Sequence, residues 1–395
     1  MTSSRFSLVA GLALAALLPL SAQAQSSAQE PVRLGFLSSM SGTFGVLGAE
    51  QKRGMDIALA HLGNKLGGRP IKLIEMDDKS SPVEAADAAN RLVEREKIQV
   101  VTGLVVSNSM LAAIDPLLKN NVFVIGANAG PSQLAGEKCN QNLFVVAFAN
   151  EQWGTGLADH LNRAGVKRMM FLGMDYQAGW DHAKSVAKNF KGENLGEIYT
   201  PLTQMDFSSV LTQVRAAKPD AIYAFYVGGA AVPFMKQWKQ SGLDKTVKLY
   251  SMGAIADSML LPAMGDAAVG LETAYSWNPE MKTPGNQRFV DDFRKKHGRN
   301  PTQFAMFQYD AIMLLDAAVK EAGPEDADKF RAALKKANFQ SLRGNFKFNN
   351  NNFPIQDIIL QRVEKTPDGK FDVKFLEVIK KDVPDPHHAS CPLKG

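Results

Sequence analysis

An excess of charge of either sign is missing from this chain. Its 45 basic and 40 acidic residues leave +5 over 395 positions. No basic stripe gathers that surplus, which excludes a nucleic-acid partner; the mild positive field attracts anions only weakly through salt. Long apolar runs are missing too: beyond the first two dozen residues nothing approaches the ~20 apolar positions that a membrane helix needs. Catalytic signatures are also absent. None of the six histidines, His61, His160, His182, His297, His387 and His388, falls in H-E-x-x-H, and no G-x-S-x-G elbow occurs. The glycines of "GFLSSMSGTFGVLG" miss the G-x-G-x-x-G spacing of a dinucleotide loop. His387 and His388 have no further ligands beside them and read as solvated tail rather than metal site. The chain is not expected to be an enzyme, and no cofactor or metal is expected.

The opening residues read as an export signal. Arg5 supplies the positive start, "LVAGLALAALLPL" from Leu8 to Leu20 is an apolar stretch too short to span a bilayer, and Ala22-Gln23-Ala24 is a small-residue cleavage site. Cleavage is expected after Ala24. No cysteine follows the cut, so no lipid anchor is expected at the new terminus, and the exported chain should be soluble. About 371 residues remain, too many for one ordinary core and enough for two domains. Apolar content of 45% with 22% charge is globular rather than disordered composition. The two cysteines, Cys139 and Cys391, lie in an exported chain, where a disulfide is expected; two unpaired thiols are the alternative. A bridge would pin the tail, residues 383–395 with "HHASCPLKG", back onto the body.

Along the chain a strand and an amphipathic helix alternate. "VRLGFLSS" precedes a helix predicted from about Ala49 to Leu62, and "IKLIEMDD" precedes "SPVEAADAANRLVEREK", whose Pro82 suits a first helical turn. "IQVVTGLVV" then precedes "SNSMLAAIDPLLKNN", and "VFVIGANAG" follows. This βαβ order predicts a mostly parallel sheet with helices on both faces. After Asn150 the alternation restarts, from "VKRMMFLGMDYQAGWDHAKSVAKNF" to "VKLYSMGA", and predicts a second sheet. The stretch "NQRFVDDFRKKHG" to "QFAMFQYDAIMLLDAAVKEAG" is helical and completes one of the two units. "DIILQRVEKTPDGKFDVKFLEVIK" alternates around Pro-Asp-Gly and reads as a hairpin.

Two strand ends stand out. The apolar run "VVTGLVV" breaks into Ser107-Asn108-Ser109 where a helix must begin. Ligands of open α/β sheets sit beyond the carboxyl ends of strands, beside helix N-termini whose N–H groups are free. A serine hydroxyl with adjacent amides suits a carboxylate, although a serine that merely caps its own helix is the plainer alternative. The second strand end, "VFVIGANAGPSQLAG", opens into Gly126, Asn128, Gly130 and Pro131. Two such ends favour a receiving site over two caps.

The segments "GFLSSMSGTFGVLGAEQKRGMDIALAHLG", "GGRPIKLIEMDDKSSPVEAADAANRLVEREKIQVVTG", "DFSSVLTQVRAAKPDAIYAFYVGG" and "FQYDAIMLLDAA", with the two turns, resemble the Leu/Ile/Val-binding family of periplasmic solute-binding proteins. Those proteins feed branched-chain amino-acid-type ABC transporters. The resemblance implies an α/β fold of periplasmic binding protein type I, two Rossmann-like lobes joined by three crossovers, with ligand held in the cleft and released by hinge opening. Lobe one would comprise residues 31–147 and 277–345, and lobe two residues 148–276 and 346–382. It also implies periplasmic location, a membrane ABC permease as partner, and a monomer.

By the same resemblance, Ser107 matches the serine that binds the ligand carboxylate, with Asn108 beside it. The backbone-carbonyl and threonine positions of the second turn fall at Asn128 and Gly130, leaving the Gly130 amide and the Asn128 side chain as donors. The family's first-loop tyrosine falls at Leu47, and its acidic partner for the ligand ammonium falls at Gly253, with Asp257 one helical turn away as a substitute. The family's own disulfide positions hold Ser80 or Ser81 and Val106, so that bridge is absent. A cation in a closed cleft needs a counter-charge. The missing acid therefore points to a ligand without an α-amino group.

Tyr176, Trp180 and Tyr226 stand at strand ends of the second unit, where aromatic rings suit either a flat apolar ligand or ordinary packing; Phe225 reads as core. The expected ligand is a small carboxylate, foremost an aromatic acid such as a benzoate or phenylpropenoate. A binder of branched-chain or other amino acids or small amides is the alternative, as is a sensing subunit for a membrane receptor.

Overall fold

The computed structural model describes residues 1–2 and 30–393; apart from Met1 and Thr2, the proposed export signal lies outside the described residues. The first sheet is built from β1 (Val32–Ser38), β2 (Lys65–Leu66), β3 (Arg69–Asp77), β4 (Val100–Gly103), β5 (Phe123–Gly126) and β6 (Leu143–Val145). Its order is β2-β3-β1-β4-β5-β6, parallel except for the β2 edge. The second contains β7 (Arg168–Met174), β8 (Glu193–Thr200), β9 (Ala221–Phe225), β10 (Lys248–Met252), β11 (Glu272–Tyr275), β12 (Lys347–Phe348), β13 (Pro354–Lys365) and β14 (Phe371–Val383). There β8-β7-β9-β10-β11 run parallel, and the hairpin β13–β14 closes the edge antiparallel to β11. β4, β5 and β9 are buried along their whole length, as strands covered on both faces must be.

Helices α1 (Gly45–His61), α2 (Pro82–Glu94), α3 (Ser107–Lys119) and α4 (Ser132–Ala135) lie between strands of the first sheet. Helix α5 (Gln152–Arg163) leads into β7, helices α6 (Gln177–Asn189), α7 (Ser208–Ala217), α8 (Ala231–Gln240) and α9 (Leu261–Met264) lie between strands of the second sheet, and α10 (Asn286–His297), α11 (Gln303–Glu321) and α12 (Ala327–Lys336) follow. Pro82 opens α2 behind the Ser81 cap, and Thr302 caps α11 through the Ala305 amide at 3.3 Å. Helix α1 starts four residues ahead of its predicted start. Packing overrides glycine's poor helix propensity: a Cβ on Gly48 would stand 1.9 Å from the Ser39 carbonyl oxygen, so only glycine lets the helix lie that close.

The long helix α11 packs on α1 and so belongs to the first lobe, whereas the β13–β14 hairpin extends the second. The chain therefore crosses between lobes three times: after β6, after β11 and ahead of β13. Arg343, buried on the third crossing, donates to the Val146 carbonyl at 2.6 Å on the first and pairs with Asp310 of α11 at 3.2 Å. Gln356 joins the same knot through the Ala147 carbonyl and Gln152. Cys139 and Cys391 form a disulfide that holds the tail to the first lobe, their Cα atoms 5.7 Å apart. Among the described residues, no helix is long and apolar enough to cross a membrane.

Candidate ligand-binding site

In each sheet the strand order reverses direction, at β1/β4 in the first and β7/β9 in the second. Crevices open outside the carboxyl ends of strands at such points. The two crevices face each other and enclose one narrow chamber. Its free volume is small, about 30 Å³.

Six of its sixteen lining residues carry aromatic rings. Phe44 from the first lobe approaches Tyr176 from the second at 5.5 Å between ring centroids, Tyr176 lies 6.2 Å from Phe225, and His182 stacks on Phe225 at 4.4 Å. Phe148 and Phe304 complete the aromatic lining, and Leu47, Met252 and Ala254 add aliphatic surface. Burial pushes His182 down to about 3, so its imidazole is neutral.

The polar lining consists of Ser107, Asn128, Asn150 and His182, with no carboxylate among the described lining residues. Ser107 is the first residue of α3. The N-cap is Val106 and no side chain caps the helix, so the serines do not serve as caps. Met110 is the first amide bonded within the helix, to the Val106 carbonyl at 2.9 Å. The amides of residues 107–109 are therefore the free, positive end of a 13-residue helix. Ser107 is 2% exposed, and its hydroxyl oxygen accepts from Asn150 Nδ2 at 3.2 Å.

Of the residues expected at the site, Leu47, Ser107, Asn128 and Tyr176 line the chamber together. Asn108 stands just outside and accepts the Gln177 amide of the opposite lobe at 3.2 Å. Asn128 differs from expectation in polarity. Its Nδ2 is committed to the Val105 carbonyl at 2.7 Å, which leaves its carbonyl oxygen buried and unpartnered among the described residues. Asn128 thus offers an acceptor instead of the expected donor.

Four expected residues lie elsewhere. Gly130 packs against the first crossing: its carbonyl accepts the Asn150 amide at 2.7 Å, and a Cβ there would stand 1.8 Å from the Phe148 carbonyl oxygen, so no threonine fits. Trp180 turns outward and donates to Asp175 at 2.8 Å. Tyr226 packs on Phe207 and Phe234 inside the second lobe, at 4.8 and 4.4 Å. Neighbours on a strand point to opposite faces, so Phe225 takes the chamber side that Tyr226 does not. At Gly253 the space for a side chain is already filled: a Cβ there would stand 2.5 Å from Gln303 Nε2 and 2.8 Å from the Tyr275 ring. Asp257 does not substitute: it is buried outside the chamber near the Gln303 amide, and burial holds its carboxyl well above the usual range.

Sequence reasoning missed Phe44, Phe148, Asn150, His182 and Phe304, and assigned Phe225 to the core. Asn150 carried a usable signal, since it ends the apolar run "LFVVAFAN" in the way Ser107 ends its own. So did His182, four residues after Ala178 on the same face of α6. Phe44, Phe148 and Phe304 had none.

The profile of the family described as "Periplasmic binding protein" matches residues 31–370. A Leu/Ile/Val-binding protein homolog 6 from Brucella melitensis is 27% identical, covering 94% of this chain and 97% of that protein. The solute-binding protein of an ABC transporter from R. palustris, in complex with benzoate, is 31% identical with a TM-score of 0.86, covering 92% of this chain and all of that one, 100%. A second, from Rhodopseudomonas palustris BisB5 in complex with 3,4-dihydroxy benzoic acid, is 28% identical with a TM-score of 0.82, covering 89% and 98%. With a matching profile over most of its length and two lobes closing on one chamber, this chain belongs to the periplasmic binding protein family and has the type I fold of ABC-transporter solute-binding proteins.

Proposed function

We propose that this solute-binding protein captures an aromatic carboxylate, a benzoate or hydroxybenzoate, and delivers it as a monomer in the periplasm to a membrane ABC permease. The observation that carries this reading is the pairing of an aromatic slot with a hydroxyl and a free helix N-terminus, in a chamber without a lining carboxylate among the described residues. The helix end and Ser107 would hold the acid by charge-assisted hydrogen bonds. The ring would lie among Phe44, Phe148, Tyr176 and Phe225. An α-ammonium in the same place would be desolvated with no counter-charge, a severe penalty. The ligands of the two R. palustris proteins support the same class.

One observation favours an amino acid instead. The unpartnered Asn128 carbonyl oxygen would accept from a ligand N–H, although a ring hydroxyl satisfies it equally. Calorimetric titration with benzoate, 4-hydroxybenzoate, leucine and isoleucine separates the two. Binding of the aromatic acids and not of the amino acids is expected; leucine binding without benzoate binding would sink the proposal.

A further inference from the structure

Asp181 touches neither the chamber nor any ligand position, yet it sits at the end of a buried chain that reaches Ser107. Its Oδ2 accepts from Asn150 Nδ2 at 2.9 Å and from the Ser132 amide at 3.4 Å, and its Oδ1 accepts from Gln177 Nε2 at 2.8 Å. Three N–H donors thus converge on one carboxylate. Asn150 Nδ2 donates its remaining proton to Ser107 Oγ at 3.2 Å.

We propose that Asp181 is a positioning residue that sets the hydrogen-bond polarity of the ligand site. An ionised carboxylate only accepts, so Asn150 must turn its NH₂ group toward it; the flipped amide would set oxygen against oxygen. The same NH₂ group then occupies a lone pair of Ser107 Oγ. Ser107 donates to no group among the described residues, so its proton is left to point into the chamber, where it meets an acceptor. Were Asn150 to present its oxygen, Ser107 would donate to it and offer the ligand a lone pair. Burial raises the Asp181 pKa, with Glu151 adding to the effect, while the three donors oppose it. The chain runs from α6 of one lobe through the first crossing to α3 of the other, so it is complete only when the lobes are together.

This inference rests on the carboxylate reading, and the test keeps the two apart. Wild type, D181N, S107A and the double variant are titrated with benzoate and with benzamide. D181N is expected to weaken benzoate roughly tenfold, about one hydrogen bond to a charge, and benzamide far less. In the S107A background the D181N effect should disappear. An unchanged benzoate-to-benzamide ratio in D181N, or effects of D181N and S107A that simply multiply, overturns the relay. If wild type binds leucine instead, the aromatic reading fails, and the same cycle with leucine and leucinamide judges the relay; binding of none of these ligands overturns both. Should D181N not fold, as read by thermal unfolding, Asn150→Ala breaks the same chain at its middle and carries the same expectations.

Discussion

Ser107 and His182 show how far a single side chain's chemistry follows from where it is buried. Ser107→Ala removes one hydrogen bond to a charged group, worth about 1.5–3 kcal/mol. Benzoate affinity is therefore expected to fall by roughly one to two orders of magnitude. Unfolding of the ligand-free protein should change little, since the one described partner of that hydroxyl, Asn150 Nδ2, keeps its shorter bond to Asp181; calorimetry with and without ligand checks both halves. His182 makes a pH prediction. Its pKa is about 3 in the fold against 6.5 when unperturbed, because burial disfavours the cation. The unfolded chain therefore binds the extra proton first as pH falls below 6.5. Stability is fully present above that value and declines on the acid side, by up to about 1.4 kcal/mol per pH unit. H182F should flatten this part of the melting-temperature profile; a profile parallel to wild type would remove the desolvation argument. His387 has the opposite sign, because its bond to Glu151 raises its pKa, so its contribution fades as pH rises through that raised value.

At the scale of elements, α3, α4 and α6 determine closure, and the crossings determine stability. Asn108 on α3 accepts the Gln177 amide that opens α6, and Gln133 on α4 donates to the Gln177 side chain at 3.0 Å. Asn108→Ala should cost about 0.5–1.5 kcal/mol of closed state, seen as a severalfold weaker ligand affinity and a larger radius of gyration in solution scattering, with an unchanged unfolding midpoint. Arg343 works differently. It is 8% exposed and ties the third crossing to the first while neutralising fully buried Asp310. Arg343→Met leaves that carboxylate unpaired, so a loss of about 3–5 kcal/mol is expected in chemical denaturation. Adding Asp310→Asn should recover part of it. Full additivity of the two changes would mean that the pair is not the cause.

Across the whole molecule, the disulfide closes a loop of 252 residues and fastens the tail to the first lobe, away from the chamber. C139S/C391S is expected to lose about 2–4 kcal/mol, lowering the unfolding midpoint by several degrees while benzoate affinity stays within about twofold. An affinity loss comparable to that of Ser107→Ala would mean that the tail governs the hinge. At this scale much was legible beforehand. The alternation of strand and helix, the late helical segment, the terminal hairpin and the cysteine pairing all appear where the residues suggested. The reach of individual side chains was less legible. Tyr176 lines the chamber and Tyr226 does not, though each follows a strand of the same sheet.

The sequence by itself determined the two α/β units and the strand ends at which a ligand could be met. These depend on local periodicity and on small polar residues interrupting apolar runs, which a short window contains. Only the tertiary structure decided which residues share the chamber. Phe44, Asn150, His182 and Phe304 come from four separate segments, and the side of the pleat and the rotation of each helix settle whether a side chain faces ligand or core. Asn128 carries the same lesson for polarity: its donor is taken by the Val105 carbonyl, 23 residues back along the chain, a partner assigned by the pairing of β4 with β5.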